Sequence, residues 1–113
     1  YEVLFGVVDP EDPAVPVLKE LLAKFADKAR LFTGLEPRGI NYKDSSLSYL
    51  LEETKHDVII FVDSDIRVPP HYIHTVTAPL ADEKVGMVTC AFIGYRPQSL
   101  GAALASFGRC FDF

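Results

Sequence analysis

Glu2-Val3-Leu4-Phe5-Gly6-Val7-Val8-Asp9-Pro10 is an almost wholly apolar run that stops abruptly at an acid and a proline. Such a run, without polar alternation, predicts a strand buried on both faces of a parallel sheet, central rather than at an edge. Asp12 can accept hydrogen bonds from the backbone of the next turn, and Pro13 sits where a helix has no N–H to lose, so a helix is expected to start there. Val15, Leu18, Leu22 and Phe25 recur at three- and four-residue steps between charged residues, which predicts one buried stripe and a close near Asp27.

The same alternation continues outward. Ala29 to Thr33 reads as a short strand, and Gly34 to Gly39, with two glycines, a proline and an arginine, as a loop. Asn41 to Lys55 reads as a second helix with Leu47, Leu50 and Leu51 inward, although its serines are weak helix formers. Asp57 to Val62 is the most β-like stretch of the chain and runs straight into Asp63-Ser64-Asp65. Pro69-Pro70 predicts a helix start reaching about Leu80, Val85 to Phe92 a strand, and Gln98 to Phe111 a last apolar helix. Four strands alternating with four helices specify an α/β fold with right-handed crossovers and a mostly parallel sheet.

Composition narrows the function. The chain has 113 residues, 11 Lys plus Arg against 16 Asp plus Glu, and a net charge of −5. Its cations are scattered, so it has no electrostatic footprint for nucleic acid. No apolar stretch approaches the roughly 20 residues of a membrane-spanning helix. Cys90 and Cys110 are too few for a disulfide framework, which favours a reducing, intracellular setting and a soluble chain. Tyr1, in place of an initiator Met, leads directly into strand-like sequence, as expected of an excerpt from a longer protein.

In open α/β sheets ligands bind beyond the carboxyl ends of the strands, where Asp9, Glu11 and Asp12 follow one strand and Asp63 and Asp65 another. Both clusters are expected on one rim. Carboxylates gathered there repel one another unless a cation lies among them, and hard ions such as Mg²⁺ or Mn²⁺ take such oxygen ligands and complete their shell with phosphate oxygens. On an extended stretch, residues two apart point the same way, so Asp63 and Asp65 can share one ion. The competing reading makes Asp63 and Asp65 solvated turn residues and Asp12 a helix cap alone. His71 and His74 lack a third ligand nearby, and Gly34 to Gly39 is not followed by the Lys-Ser or Lys-Thr of a phosphate loop.

Three segments together resemble the nucleotide-sugar glycosyltransferases of the GT-A fold, in the ceramide-glucosyltransferase-like branch of families 2 and 21, which includes hopanoid-biosynthesis enzymes. They are Tyr1 to Phe5 with Asp9-Pro10-Glu11-Asp12-Pro13-Ala14, then Gly39-Ile40-Asn41-Tyr42-Lys43, then Asp63-Ser64-Asp65-Ile66-Arg67-Val68. The resemblance implies a partial, Rossmann-like GT-A domain over 1–113, the donor-nucleotide half, with about four strands and the central strand of the sheet missing. It implies an inverting enzyme that moves a sugar from a UDP-sugar (UDP-glucose or a UDP-N-acetylhexosamine) to a lipid hydroxyl. Asp9 and Asp12 would contact the uridine, Lys43 the nucleotide or its phosphates, Asp63 the ribose or metal, and Asp65 the metal, with Arg67 supporting Asp65 or covering the rim. The general base is expected beyond Phe113, as is a motif containing tryptophan, which this chain lacks. The intact protein would be membrane-associated with this region in the cytoplasm. A central gap predicts either direct pairing of 3–8 with 58–62 or pairing with a second copy through the exposed edges. The alternative function is a noncatalytic, Mg²⁺-binding receiver-like signalling module.

Overall fold

The computed structural model describes residues 1–109 and divides them into two compact units, Tyr1–Ile60 and the residues from Phe61 onward. The first is a parallel βαβα arrangement. Strand β1 (Val3–Val7) is followed by helix α1 (Ala14–Lys24), strand β2 (Ala29–Thr33) and helix α2 (Tyr42–Glu52). The strands pair in parallel with Val3 opposite Ala29 and Val7 opposite Thr33. Each of these elements falls within a predicted one, and β2 matches its predicted bounds.

Period-two geometry sorts the two helices onto opposite faces of this sheet. Val3 and Phe5 line an apolar cleft with Leu21 of α1 and Phe25 just past its end. Gly6 points the other way, where a Cβ would come within 3.0 Å of Leu50 Cδ1 from α2. A side chain at position 6 would therefore press against α2, and glycine lets that helix approach. The chain crosses from β1 to β2 over one face and returns over the other, as in a doubly wound fold.

The core is small. Val15 at 4% exposure and Ala29 at 8% are the buried hydrophobic residues among those described, and Ser45 at 6% is the buried polar one. The expectation that β1 is buried on both faces is corrected: its residues are exposed or half-buried, because the sheet described has two strands and leaves β1 with a single ladder partner. Phe25 and Leu51, expected inward, are exposed for the same lack of covering layers.

Two predicted strands do not form among the described residues. Neither 57–62 nor 85–92 pairs with any strand, so the sheet of about four strands is corrected to two, and 3–8 and 58–62 do not pair directly. β-Branched composition makes a segment fit a pleated surface, but an extended backbone becomes a strand only when a neighbour takes its N–H and C=O groups. Val58 and Val62 remain exposed.

The second unit contains helix α3 (Tyr72–Thr77), a 3₁₀ turn (Ala78–Ala81) and helix α4 (Leu100–Arg109). The Tyr72 phenol is pushed above its ordinary value by burial, with the neighbouring Cys90 thiol adding to the effect. Predicted helix residues 110 and 111 lie outside the described residues.

The first unit is closed at one end by charge. Arg30, the second residue of β2, donates to Glu2 Oε2 at 3.0 Å, to Glu53 Oε2 at 3.2 Å and to the Glu53 carbonyl, while Glu2 Oε1 accepts the Lys55 N–H at 2.8 Å. Burial alone would raise the Glu2 carboxyl, but the Lys55 N–H and the Arg30 guanidinium outweigh it and hold Glu2 below the ordinary glutamate value. Glu52 is lowered too, chiefly by its hydrogen bonds from Arg38. Between the folded and unfolded values the unfolded chain binds more protons, so stability rises with pH there. The thermal midpoint is expected to be level near neutrality and to fall as pH drops below the ordinary glutamate range, about 4.3. Glu2→Gln should flatten that acid limb in a melting series from pH 7 to 3; an unchanged limb would assign it to other carboxylates.

Candidate functional site

The charged closure also sets the direction of α2. Its last turn is tied through Glu53 and Lys55 to Arg30 and Glu2, which stand at the amino ends of the strands. α2 therefore runs antiparallel to β1 and β2, and its first turn lies at their carboxyl ends. Asp9 and Asp12 follow β1 at that same end. Three of the expected site residues, Asp9, Asp12 and Lys43, thus share one end of the first unit.

Asp9 and Asp12 form a single built turn. Asp9 Oδ1 accepts the Glu11 N–H at 2.9 Å, and its carbonyl accepts the Asp12 N–H at 3.1 Å. Asp12 Oδ1 accepts the Ala14 N–H at 2.8 Å, and its carbonyl accepts Val15 N–H at 2.9 Å, so Asp12 does cap the start of α1. Capping and ligand binding are compatible, because an ionised carboxylate has about four acceptor positions and each cap uses one. The turn fixes both backbones and keeps the carboxylates at the rim.

Lys43 is the second residue of α2 and is exposed. Asn41 caps this helix: its Oδ1 accepts the Lys43 N–H at 3.0 Å, while its carbonyl accepts from both the Ser45 N–H and the Ser45 hydroxyl. Beside this first turn lies a shallow hollow of about 280 Å³, lined by residues of the 38–41 turn and by Asp44, Ser45 and Ser48.

Asp63 and Asp65 belong to the second unit, and their local geometry differs from expectation. The Ile66 N–H donates to the Asp63 carbonyl at 3.2 Å, so Asp63-Ser64-Asp65 is a hydrogen-bonded turn rather than the extended end of a strand. The argument from strand alternation is corrected accordingly. A turn still gathers the two carboxylates within a few residues of chain, on exposed backbone. Two carboxylates are a hard oxygen donor set suited to Mg²⁺ or Mn²⁺, which bind through one or two protein carboxylates and leave positions for phosphate. Among the described residues no three His, Cys, Asp or Glu side chains gather into a metal-holding group, and His71 and His74 are no exception. Arg67 lies over the Tyr95 ring at 5.4 Å, which gives it a packing role within this unit.

The sequence reading missed two arginine-centred clusters. One is Arg30 with Glu2 and Glu53. In the other, the Arg38 guanidinium forks onto the Glu52 carboxylate and lies 3.4 Å from the centre of the Tyr49 ring. One signal was available: Glu52 and Glu53 end α2 with no basic residue in its last turn, where negative charge opposes the helix dipole, so each needed a cation from elsewhere.

Residues 1–109 match the family model of Glycosyl transferase family 21. With a parallel α/β unit that carries acids beyond a strand end, the chain is a glycosyltransferase domain; it belongs to glycosyl transferase family 21, whose members take the GT-A fold. No solved structure matches the chain. Family membership overturns the receiver-like signalling alternative. No helix among the described residues is long and apolar enough to cross a membrane.

Proposed function

We propose that this chain supplies the donor-nucleotide part of an inverting glycosyltransferase that moves a sugar from a UDP-sugar to a lipid hydroxyl. The observation that carries this reading is the convergence of Asp9, Asp12 and Lys43 at the carboxyl end of a parallel α/β unit in a family 21 chain. Asp9 and Asp12, held in one turn, accept from the uridine. Lys43, at the positive end of α2, meets the nucleotide or its phosphates, where backbone dipole and ammonium act with the same sign. Asp63 and Asp65 hold a divalent ion, Mg²⁺ or Mn²⁺, and Asp63 also reaches the ribose. When bound, that ion offsets charge building on the departing diphosphate. The general base comes from chain beyond Phe113, and the intact protein works at a membrane with this region on the cytoplasmic side. The donor in this reading is UDP-glucose or a UDP-N-acetylhexosamine.

Calorimetric titration of UDP and of the two UDP-sugars, with and without Mn²⁺, tests the proposal. The expected result is binding that needs both the uridine and the ion, with CDP and ADP much weaker. Equal affinity for all three diphosphates would remove the uridine assignment from Asp9 and Asp12.

A further inference from the structure

Arg38 is joined to α2 at both its start and its end, by more bonds than a loop arginine requires. Its side chain spans Tyr49 and Glu52, while its backbone N–H donates to Ser45 Oγ at 3.0 Å. Ser45 is buried, and its hydroxyl passes the connection on to the Asn41 carbonyl at 3.0 Å. Asn41 then caps the Lys43 N–H. Ser45, Tyr49 and Glu52 recur at steps of four and three, so they form one face of α2, and Arg38 lies along it. Between these anchors the turn is bare: Ile40 is fully exposed, and Gly39 has nothing within 4 Å of where a Cβ would stand. Nothing at its tip holds the turn in place. Its position is set from the two sides, by Arg38 and by Asn41.

The charges follow the same logic. Glu52 in the last turn of α2 works against the helix dipole, a placement that helix stability alone disfavours. Its partner explains it. A planar guanidinium can fork onto a carboxylate and stack on a ring at once, which a lysine ammonium cannot do.

We infer that Arg38 is a positioning residue for the nucleotide: clamped to Tyr49 and Glu52, it holds the Gly39-Ile40-Asn41 turn so that Asn41 can cap α2 and set Lys43 at the rim. The nucleotide part of this inference rests on the role proposed above for Lys43, whereas the clamp itself does not.

The test compares Arg38→Gln, Arg38→Lys, Glu52→Gln and Lys43→Ala by UDP titration with Mn²⁺, thermal melting, and amide hydrogen exchange at Lys43 and Ser45. Arg38→Gln and Glu52→Gln are expected to weaken UDP by about tenfold and to speed exchange at both amides, with the chain still folded. Arg38→Lys should fail to restore either property, which a generic surface charge would do. Unchanged UDP affinity in Arg38→Gln beside a weakened Lys43→Ala would overturn the inference and leave the role of Lys43 standing. Unchanged affinity in Lys43→Ala would instead remove that role. The exchange data then decide the clamp, and unaltered protection in Arg38→Gln overturns it.

Discussion

Asp65→Asn is expected to remove the Mn²⁺ requirement of UDP binding together with most of the affinity and, in the intact enzyme that carries the general base, to lower sugar transfer by about 10²–10³-fold. The substitution keeps the size and shape of the side chain and removes its charge. The turn is closed by backbone, from the Ile66 N–H to the Asp63 carbonyl, so it does not depend on the Asp65 carboxylate. A loss of binding would therefore report the lost ligand and not a lost fold. Asp63→Asn should behave alike, with a further loss of preference for ribose over deoxyribose nucleotides. Asp82→Asn is the matched control: Asp82 also shapes a turn, through the Lys84 N–H at 3.0 Å, but has no part in the proposed site. Asp65→Asn that bound UDP with undiminished Mn²⁺ dependence would take the metal role away from this turn.

Val15→Ala should produce the largest loss of stability from a single conservative change, about 1–2 kcal/mol, or a fall in melting temperature of about 4–8 °C per kcal/mol in a domain this small. Val15 is the most buried hydrophobic residue described, and Ala29 is the one other in that class. A core with so few members has no neighbour able to close the space left by two methyl groups. The effect reaches the rim through covalent proximity. The Val15 N–H donates to the Asp12 carbonyl at 2.9 Å, so loosening the start of α1 loosens the turn that holds Asp9 and Asp12. UDP affinity should fall with stability in Val15→Ala. Val17→Ala, at an exposed position on the same helix, should stay within about 0.5 kcal/mol of the parent. Equal melting temperatures for the two variants would show that the stability of this unit lies elsewhere.

The elements read correctly from sequence are those whose cause is local. β2 and α1 follow from apolar spacing and from an acid and proline at a helix start, and both need only residues within a few positions of each other. The segments 57–62 and 85–92 failed for the opposite reason. Their composition suits a strand, but a ladder depends on a partner that local composition cannot name, and among the described residues none is present. The site divides in the same way. That Asp9 and Asp12 belong at the carboxyl end was legible from the rule that ligands bind beyond the carboxyl ends of parallel strands, whereas Lys43 came only from the family resemblance. The reason α2 points Lys43 to that rim was not legible, because it lies in bonds from Arg30 and Glu2 to residues 23 and 53 positions away. Arg38 looked like one cation in a glycine-containing loop. Its meaning emerges only where α2 places Tyr49 and Glu52 on the face that the loop crosses.

The most direct measurement is a nuclear magnetic resonance titration of the isotopically labelled chain with UDP, followed by trace Mn²⁺. UDP held by diamagnetic Mg²⁺ should shift the amides of Asp9, Glu11 and Asp12 and those of residues 41–43, and replacing Mg²⁺ by Mn²⁺ should broaden residues 63–65 most strongly. Shifts and broadening confined to other segments, or broadening at 63–65 that is indifferent to UDP, would contradict the donor-binding account.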